Sequence, residues 1–339
     1  MRALVYTAPK TFEIKDVPMP EINSKQVLIK VKVCGVCKTD IHIHNGGFIA
    51  RFPLIPGHEF AGVVEEVGED VDNVKVGDSV TADNTVLCGR CYYCVRDKPL
   101  FCKNFESLGC TTNGGYAEYV AVNSEKVFKI KKVSYEEAAL TEPTACVIHA
   151  IDTLKPEAGD EALVFGAGPA GLILAQALKN SGVSNLVLAA PTMSKLELGK
   201  KLGADEIVQV DRNDYNKHKE ILRKEYPEGF DIVVDATGVA PVVEQCIEFT
   251  KYGAKVLLFG VCKEDARISM SPYEIYRKEI KIIGTFAQTH CFPRAVQFLE
   301  NGRIKVKELI TDIFKLEEWG KALDTVQNNH NSIKVIIKP

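Results

Sequence analysis

From about residue 149 the chain repeats one unit: a short apolar run, a turn, then apolar residues at helical spacing. "EALVFGAG" is a strand that runs into glycines, and "PAGLILAQALKNSG" follows with helical period. "VSNLVLAA" is a second strand and "SKLELGKKLGA" a second helix, while "FDIVVDATG" and "AKVLLFGV" repeat the strand signal. Strands that alternate with helices leave few options. Successive strands lie parallel, and each helix crosses a face of the sheet to reach the next strand. No other feature of the 339 residues restricts the fold as far.

The residues before this run have a different grammar. "QVLIKVKVCGVC" alternates apolar and polar residues, as a half-buried strand does. "FAGVVEEVG", "VKVGDSVTA", "GGYAEYVAV" and "EKVFKI" are further strand-like pieces separated by Gly, Asp and Asn turns. Beyond "IKIIGTFAQ" the alternation breaks up: "CFPRAVQFLENGRI" reads as one helix and "SIKVIIKP" as a closing strand. The alternation is one of pattern only: no stretch of sequence recurs, and there are no low-complexity stretches. The expected organisation is a β domain built from residues 1–148 and 286–339, with an α/β domain over 149–285 inserted between.

The first turn of the α/β domain carries Gly166, Gly168 and Gly171, with Pro169 and Ala170 between the last two. This G-x-G-x-x-G follows a strand, opens a helix and begins a βαβ unit, the context in which it binds a dinucleotide. The first glycine makes the tight turn, the second admits a pyrophosphate, and the third lets helix and strand pack closely. A structural glycine turn is the competing reading. The second strand ends "LVLAAPTMSK", with Ala189, Ala190 and Pro191 where an NAD site has a carboxylate for the ribose. No acid occurs until Glu197, whereas Thr192, Ser194 and Lys195 are placed to meet a 2′-phosphate. NADP is therefore expected ahead of NAD, and NAD bound without the acidic clamp is the alternative. Gly260 and Val261, ending "AKVLLFGV", complete the expected cofactor set.

Eleven cysteines need an account. Cys88, Cys91, Cys94 and Cys102 are spaced C-x2-C-x2-C-x7-C, which can wrap one tetrahedral Zn²⁺ with no open position. Such a site is structural; disulfides are the competitor. Cys34, Cys110, Cys146, Cys246, Cys262 and Cys291 read as small buried hydrophobes. Cys37, His58 and Glu59 upstream, and Glu142 farther on, can offer the three protein ligands a catalytic zinc needs. Taken singly, each has a plain explanation, so spacing alone leaves metal and no metal open.

The bulk composition excludes several functions. Apolar residues make up 46% and charged residues 26%, ordinary for a globular protein, and the net charge of −3 gives no footprint for nucleic acid. The apolar runs fall short of the roughly 20 residues of a membrane span. The opening "MRALVYTAPKTFEIKDVPMP" develops no apolar signal core, so a cytoplasmic protein is expected.

"CGVCKTDIHIH", "PGHEFAGVVEEVG", the four-cysteine lobe, "TEP" and "GAGPAG" occur in one order and spacing. Over essentially its whole length the chain resembles the zinc-dependent medium-chain dehydrogenases, most closely the sorbitol and related polyol dehydrogenases. The resemblance implies a chaperonin-10-like β catalytic domain and a Rossmann domain, a doubly wound parallel sheet, with two Zn²⁺ per chain. It implies that Cys37, His58 and Glu59 hold the catalytic zinc and that Glu142 ligates it directly or through water. Thr39 would take the substrate proton and His42 pass it to solvent, while Lys38 would lie near the cofactor pyrophosphate and Asp40 would orient His58. His44 has no such counterpart and is read as exposed. Where sorbitol dehydrogenases have a substrate-binding arginine, this chain has Ala287, followed by the polar Gln288, Thr289 and His290. The implied reaction interconverts a pentitol such as arabinitol, or a hexitol such as sorbitol, and its ketose. A diol or other secondary alcohol, or L-threonine, is the alternative substrate; a zinc-free quinone reductase or crystallin is the alternative class. A homo-oligomer, tetramer or dimer, is implied as well.

Overall fold

The structure, a computed structural model, describes residues 1–47 and 49–339. The chain divides into two compact units, Met1–Ala145 with Gln288–Gly302 and Val306–Pro339, and Cys146–Ala287 with Arg303–Lys305.

In the first unit the chain runs β1 (Arg2–Ala8), β2 (Thr11–Asp16), β3 (Gln26–Val36), α1 (Lys38–His44), β4 (Glu59–Val67), β5 (Ser79–Ala82), β6 (Thr85–Val86), β7 (Glu106–Ser107), β8 (Tyr119–Asn123), β9 (Val127–Lys129) and α2 (Tyr135–Ala138). Helix α3 (Thr141–Leu154) leads into the second unit, which contains β10 (Glu161–Phe165), α4 (Pro169–Asn180), β11 (Asn185–Ala190), α5 (Met193–Lys201), β12 (Glu206–Gln209), α6 (Tyr215–Glu225), β13 (Phe230–Asp235), α7 (Ala240–Gln245), β14 (Thr250–Leu258), α8 (Pro272–Lys278) and β15 (Lys281–Gly284). The chain then adds α9 (Phe292–Glu300), β16 (Ile310–Lys315), α10 (Trp319–Asn328) and β17 (Lys334–Lys338).

The second unit is one parallel sheet in the order β12-β11-β10-β13-β14-β15. Its middle strands, EALVF, NLVLAA and FDIVVD, are apolar and buried along nearly their whole length, as strands of a parallel sheet covered on both faces are. The first unit is a largely antiparallel sheet in the order β16-β17-β3-β4-β5-β9, with β8 also on β3. Its long strand β3 explains the placement of the closing segment: Val335, Ile336 and Ile337 of β17 pair with Val36, Gly35 and Cys34. The C-terminal strand thus lies beside the stretch that enters α1. Each unit has its own core. Tyr6, Phe60, Tyr116 and Trp319 fill the first, and Phe165, Phe230 and Phe249 fill the second.

The helix expected over "CFPRAVQFLENGRI" stops at Glu300. Gly302, with φ +65, reverses the backbone there. Arg303 and Lys305 then give their carbonyls to Asn180 and Gln176 of α4, which attaches this short stretch to the second unit. Of the six scattered cysteines, Cys34, Cys110, Cys246 and Cys291 are buried; Cys146 and Cys262 are half-buried.

Candidate metal and cofactor sites

The run "VCGVCKTDIHIH" folds as the end of β3, a cap and α1. Cys37 is the cap residue and keeps an extended backbone, φ −107 and ψ 159, so its thiol stands clear of the helix. Asp40 locks that cap: its Oδ2 accepts from the Cys37 N–H at 2.8 Å and lies 2.8 Å from the hydroxyl of buried Tyr116. The chain returns through Gly57, φ +93, and places His58 and Glu59 at the start of β4, where Glu59 pairs with Gly35. The Cys37 thiol, an imidazole nitrogen of His58 and a Glu59 carboxylate oxygen all lie within 4.8 Å of one another.

This donor set fits zinc in its chemistry and its surroundings. Asp40 Oδ1 is buried and has no hydrogen-bond partner among the described residues, yet it lies 3.8 Å from His58 Nδ1. An unmet acceptor there is what a ligand histidine requires to orient its ring when its other nitrogen is engaged. Burial pulls the His58 pKa down, but Cys110, 3.8 Å from Nδ1, and Asp40 outweigh it and hold the imidazole well above its ordinary range. The pocket therefore favours a positive charge at His58, the need a cation would meet.

The other cluster is Cys88, Cys91, Cys94 and Cys102, all free thiols. Their sulfurs stand 3.4 Å (88 to 102), 3.5 Å (91 to 94) and 4.0 Å (88 to 94) apart. Zn–S bonds of about 2.3 Å at tetrahedral angles put sulfurs about 3.8 Å apart, so the four are already at metal spacing. Backbone N–H groups of Cys94 and Lys103 lower the Cys91 pKa to about 6, while burial and the neighbouring thiols push Cys94 up to about 12.

In the second unit the glycine turn behaves as its spacing implies. Gly166 has φ +116, and a Cβ on Gly171 would lie 1.9 Å from the Gly166 carbonyl oxygen. A Cβ on Gly168 would meet nothing within 4 Å. That open face lies at the N-terminus of α4, which Pro169 begins, and is the cradle a pyrophosphate would fill. Strand β11 ends at buried Ala190; Thr192 caps α5, Ser194 is exposed and Lys195 half-buried.

The family described as alcohol dehydrogenase GroES-like domain matches residues 23–132, and that described as zinc-binding dehydrogenase matches residues 169–301. The chain is 45% identical over its full length to D-arabinitol dehydrogenase 1 of Uromyces fabae, covering 97% of that protein. The chain belongs to the zinc-binding medium-chain dehydrogenases. It is also 31% identical over its full length to a sorbitol dehydrogenase of Bacillus subtilis strain 168, covering 97% of it. Two solved structures are similar along the whole chain, each with 28% identity and 99% of its own length covered. One is a protein of Sinorhizobium meliloti 1021, classed as a zinc-binding dehydrogenase and bound to NADP, with TM-score 0.93. The other, from Escherichia coli CFT073, is named a short-chain alcohol dehydrogenase and is complexed with NADH, with TM-score 0.91.

The dehydrogenase thus has a four-cysteine zinc cluster, a Cys/His/Glu zinc group and an NAD(P) site. Glu142 stands on the first turn of α3, outside the group of Cys37, His58 and Glu59. Thr39 Oγ1 lies 3.6 Å from Cys37 Sγ; His42 is half-buried one turn further on, and Lys38 is exposed. His44 departs from its expected exposure. It is half-buried, and its Nδ1 lies 2.9 Å from the hydroxyl of Tyr6, which accepts from Trp319 Nε1 at 2.9 Å. Gln288 is buried, whereas His290 is exposed and pairs with exposed Asp97 at 3.3 Å.

Sequence reasoning missed Lys334. It opens β17, is 2% exposed, and its ammonium pairs with Glu59 Oε2. Burial acts to lower its pKa, but Glu59, Cys37 and Glu142 outweigh this and raise it. In "NSIKVIIKP" nothing marks this lysine as buried, because that depends on β17 lying against β3.

Proposed function

We propose that this dehydrogenase oxidises a sugar alcohol, a pentitol such as arabinitol or a hexitol such as sorbitol, to its ketose and catalyses the reverse reduction, preferring NADP(H). The observation that carries the reaction is the convergence of Cys37, His58 and Glu59 within 4.8 Å, with Thr39 beside the thiol. The polyol substrate is supported by the 45% identity to a protein named for D-arabinitol. The NADP preference is supported by Ala190, Pro191, Thr192, Ser194 and Lys195, a strand end without a carboxylate.

Cys37, His58 and Glu59 would hold zinc, with Glu142 of α3 as the further carboxylate on offer, and the ion would supply a Lewis acid that makes the substrate hydroxyl more acidic. Thr39 Oγ1 accepts the hydroxyl proton and hands it on. His42, three residues later on the same face of α1, holds it at an imidazole nitrogen and exchanges it with solvent. Asp40 keeps the His58 ring in place. The Gly166–Gly171 turn, with Pro169 and Ala170, would orient the cofactor at its pyrophosphate. A nicotinamide cofactor held there would supply the hydride acceptor.

We read the enzyme as cytosolic, since all eleven of its cysteines are free thiols. We also read it as a homo-oligomer, tetramer or dimer, since Tyr252, Tyr276 and Ile282 expose apolar surface on β14, α8 and edge strand β15. The test is a comparison of kcat/KM for D-arabinitol, sorbitol, 2,3-butanediol and L-threonine, each with NADP⁺ and NAD⁺. The highest value is expected for a polyol with NADP⁺. A diol or threonine turned over faster than both polyols would reject the substrate, and a ratio favouring NAD⁺ would reject the cofactor preference.

A further inference from the structure

The parallel sheet switches direction between β10 and β13, so that β11 and β12 lie on one side and β14 and β15 on the other. In such sheets the dinucleotide lies across the carboxyl ends of the strands at the switch point, one nucleotide half over each set. The glycine turn belongs to the adenosine side, and the ends of β13 and β14 receive the nicotinamide side.

One buried residue, Asp235, ties those two ends together through its carboxylate and its main-chain carbonyl. Asp235, the last residue of β13, has no solvent exposure. Its Oδ1 accepts from the Thr237 N–H at 2.9 Å and from the Thr237 hydroxyl at 2.5 Å, and its Oδ2 accepts from the Gly238 N–H at 3.1 Å. Thr237 Oγ1 accepts in turn from the Val239 N–H at 3.0 Å. The main-chain carbonyl of Asp235 takes the N–H groups of Phe259 and Gly260, at 3.0 and 2.9 Å, from the loop after β14. The segment held in this way is also packed on both flanks. A Cβ on Gly166 would lie 3.0 Å from the Ala236 carbonyl oxygen, and one on Gly260 would lie 2.1 Å from the Gly238 nitrogen. Residues 236–239 are wedged between the glycine turn and Gly260, so neither can shift alone.

Burying a carboxylate is costly unless its hydrogen bonds are met, and here they are met by the backbone and the Thr237 hydroxyl of the segment that follows β13. We propose that Asp235 is a positioning residue for the nicotinamide half of the cofactor. Its carboxylate fixes Thr237–Val239, and its main-chain carbonyl joins that segment to Gly260, so that the two form one edge against which that half is laid. It acts through this loop and does not touch the cofactor. The proposal rests on the NAD(P) site described above.

The experiment measures equilibrium binding of two probes to the zinc-loaded enzyme: the reduced cofactor that binds more tightly, and 5′-AMP, which occupies the adenosine side alone. Asp235→Asn keeps the shape but sets an amide against the Gly238 or Thr237 donors. It should weaken reduced-cofactor binding about tenfold, the effect of one buried hydrogen bond left unmet, and leave 5′-AMP affinity and zinc content unchanged. Equal weakening of both probes, or no weakening of the cofactor, would overturn the proposal. Should the Asn variant not fold, Thr237→Ala decides. It keeps Asp235 and removes the hydroxyl bridge to Val239, so cofactor binding should fall about threefold with 5′-AMP unaffected; unchanged cofactor affinity rejects the idea. Failure of the wild-type enzyme to bind 5′-AMP would strike at the cofactor site itself, a different result from either.

Discussion

At the residue scale, the candidate catalytic group divides into what spacing reveals and what only packing creates. Cys37, His58 and Glu59 are visible in the sequence because each lies in a short run with a fixed neighbour pattern, "CGVCKTD" and "PGHEFAG". Lys334 is not visible, since a lysine at the start of a strand is ordinarily solvated and only the β17–β3 pairing buries it. Its side chain is 3% exposed and that of Glu59 is 1%, so the pair is a buried one. Removing one partner of such a pair leaves an uncompensated charge and costs about 3–5 kcal/mol. Lys334→Met should therefore destabilise the zinc-stripped enzyme by about that much, and the zinc-loaded enzyme by less, because the ion supplies the missing positive charge. Adding Glu59→Gln should recover most of the loss in the stripped form. Urea unfolding of stripped and reloaded protein, analysed as a double-mutant cycle, measures all three. Equal losses with and without zinc would mean the lysine is only a packing element. Ala190 is a simpler case. Ala190→Asp installs an acceptor for a ribose hydroxyl and a charge that repels a 2′-phosphate, and should shift the kcat/KM ratio toward NAD about tenfold or more.

At the element scale, the four-cysteine lobe shows why a metal is needed where a core is missing. Between Cys88 and Cys102 only Pro99, Leu100 and Cys102 are buried, while Tyr92, Val95 and Phe101 stay exposed. Two 3-10 turns, Cys94–Arg96 and Pro99–Phe101, are all the regular structure the stretch has. So few buried apolar groups cannot repay the entropy of ordering fifteen residues at about 1–2 kcal/mol each; tetrahedral ligation can contribute what is missing. Cys94→Ala should reduce bound zinc from two ions per chain to one, and should make residues 88–102 the first point of proteolytic cleavage. Cofactor binding by the second unit should be unchanged. Metal analysis and limited proteolysis test this, and an intact, protease-resistant lobe lacking its zinc would contradict it. The sequence made this lobe legible because close cysteine spacing is a local signal. It made the β–α alternation legible for the same reason. The attachment of residues 303–305 to the second unit was not legible, since it depends on side chains of α4 that lie more than a hundred residues earlier.

At the scale of the whole molecule, the division into two units with separate cores implies that unfolding need not be a single transition. Both zinc groups belong to the first unit and the glycine turn to the second, so chelation should lower one thermal transition and reduced cofactor should raise the other. At a cofactor concentration of one hundred times Kd, the gain is about 2.7 kcal/mol. The second unit also holds a buried histidine. His218 of α6 is 1% exposed, its ring edge-on to Phe165 and Tyr215, with Nε2 2.8 Å from Gln245 Oε1. Gln245 gives its own N–H to the Pro241 carbonyl, which leaves Oε1 as an acceptor and places the histidine proton on Nε2. Nδ1 is then a buried lone pair without a partner among the described residues. Burial pulls the His218 pKa below its ordinary value of 6.5, so the folded unit favours the neutral ring. As the pH falls through about 6.5, the unfolded chain binds a proton that the folded unit resists, and stability declines; above that pH the contribution is constant. Calorimetry between pH 7.5 and about 5 should therefore show the cofactor-sensitive transition moving down with acid, and His218→Gln should flatten that slope. A slope unchanged in the variant would assign the acid sensitivity to another group, and a slope confined to the chelator-sensitive transition would place it in the first unit.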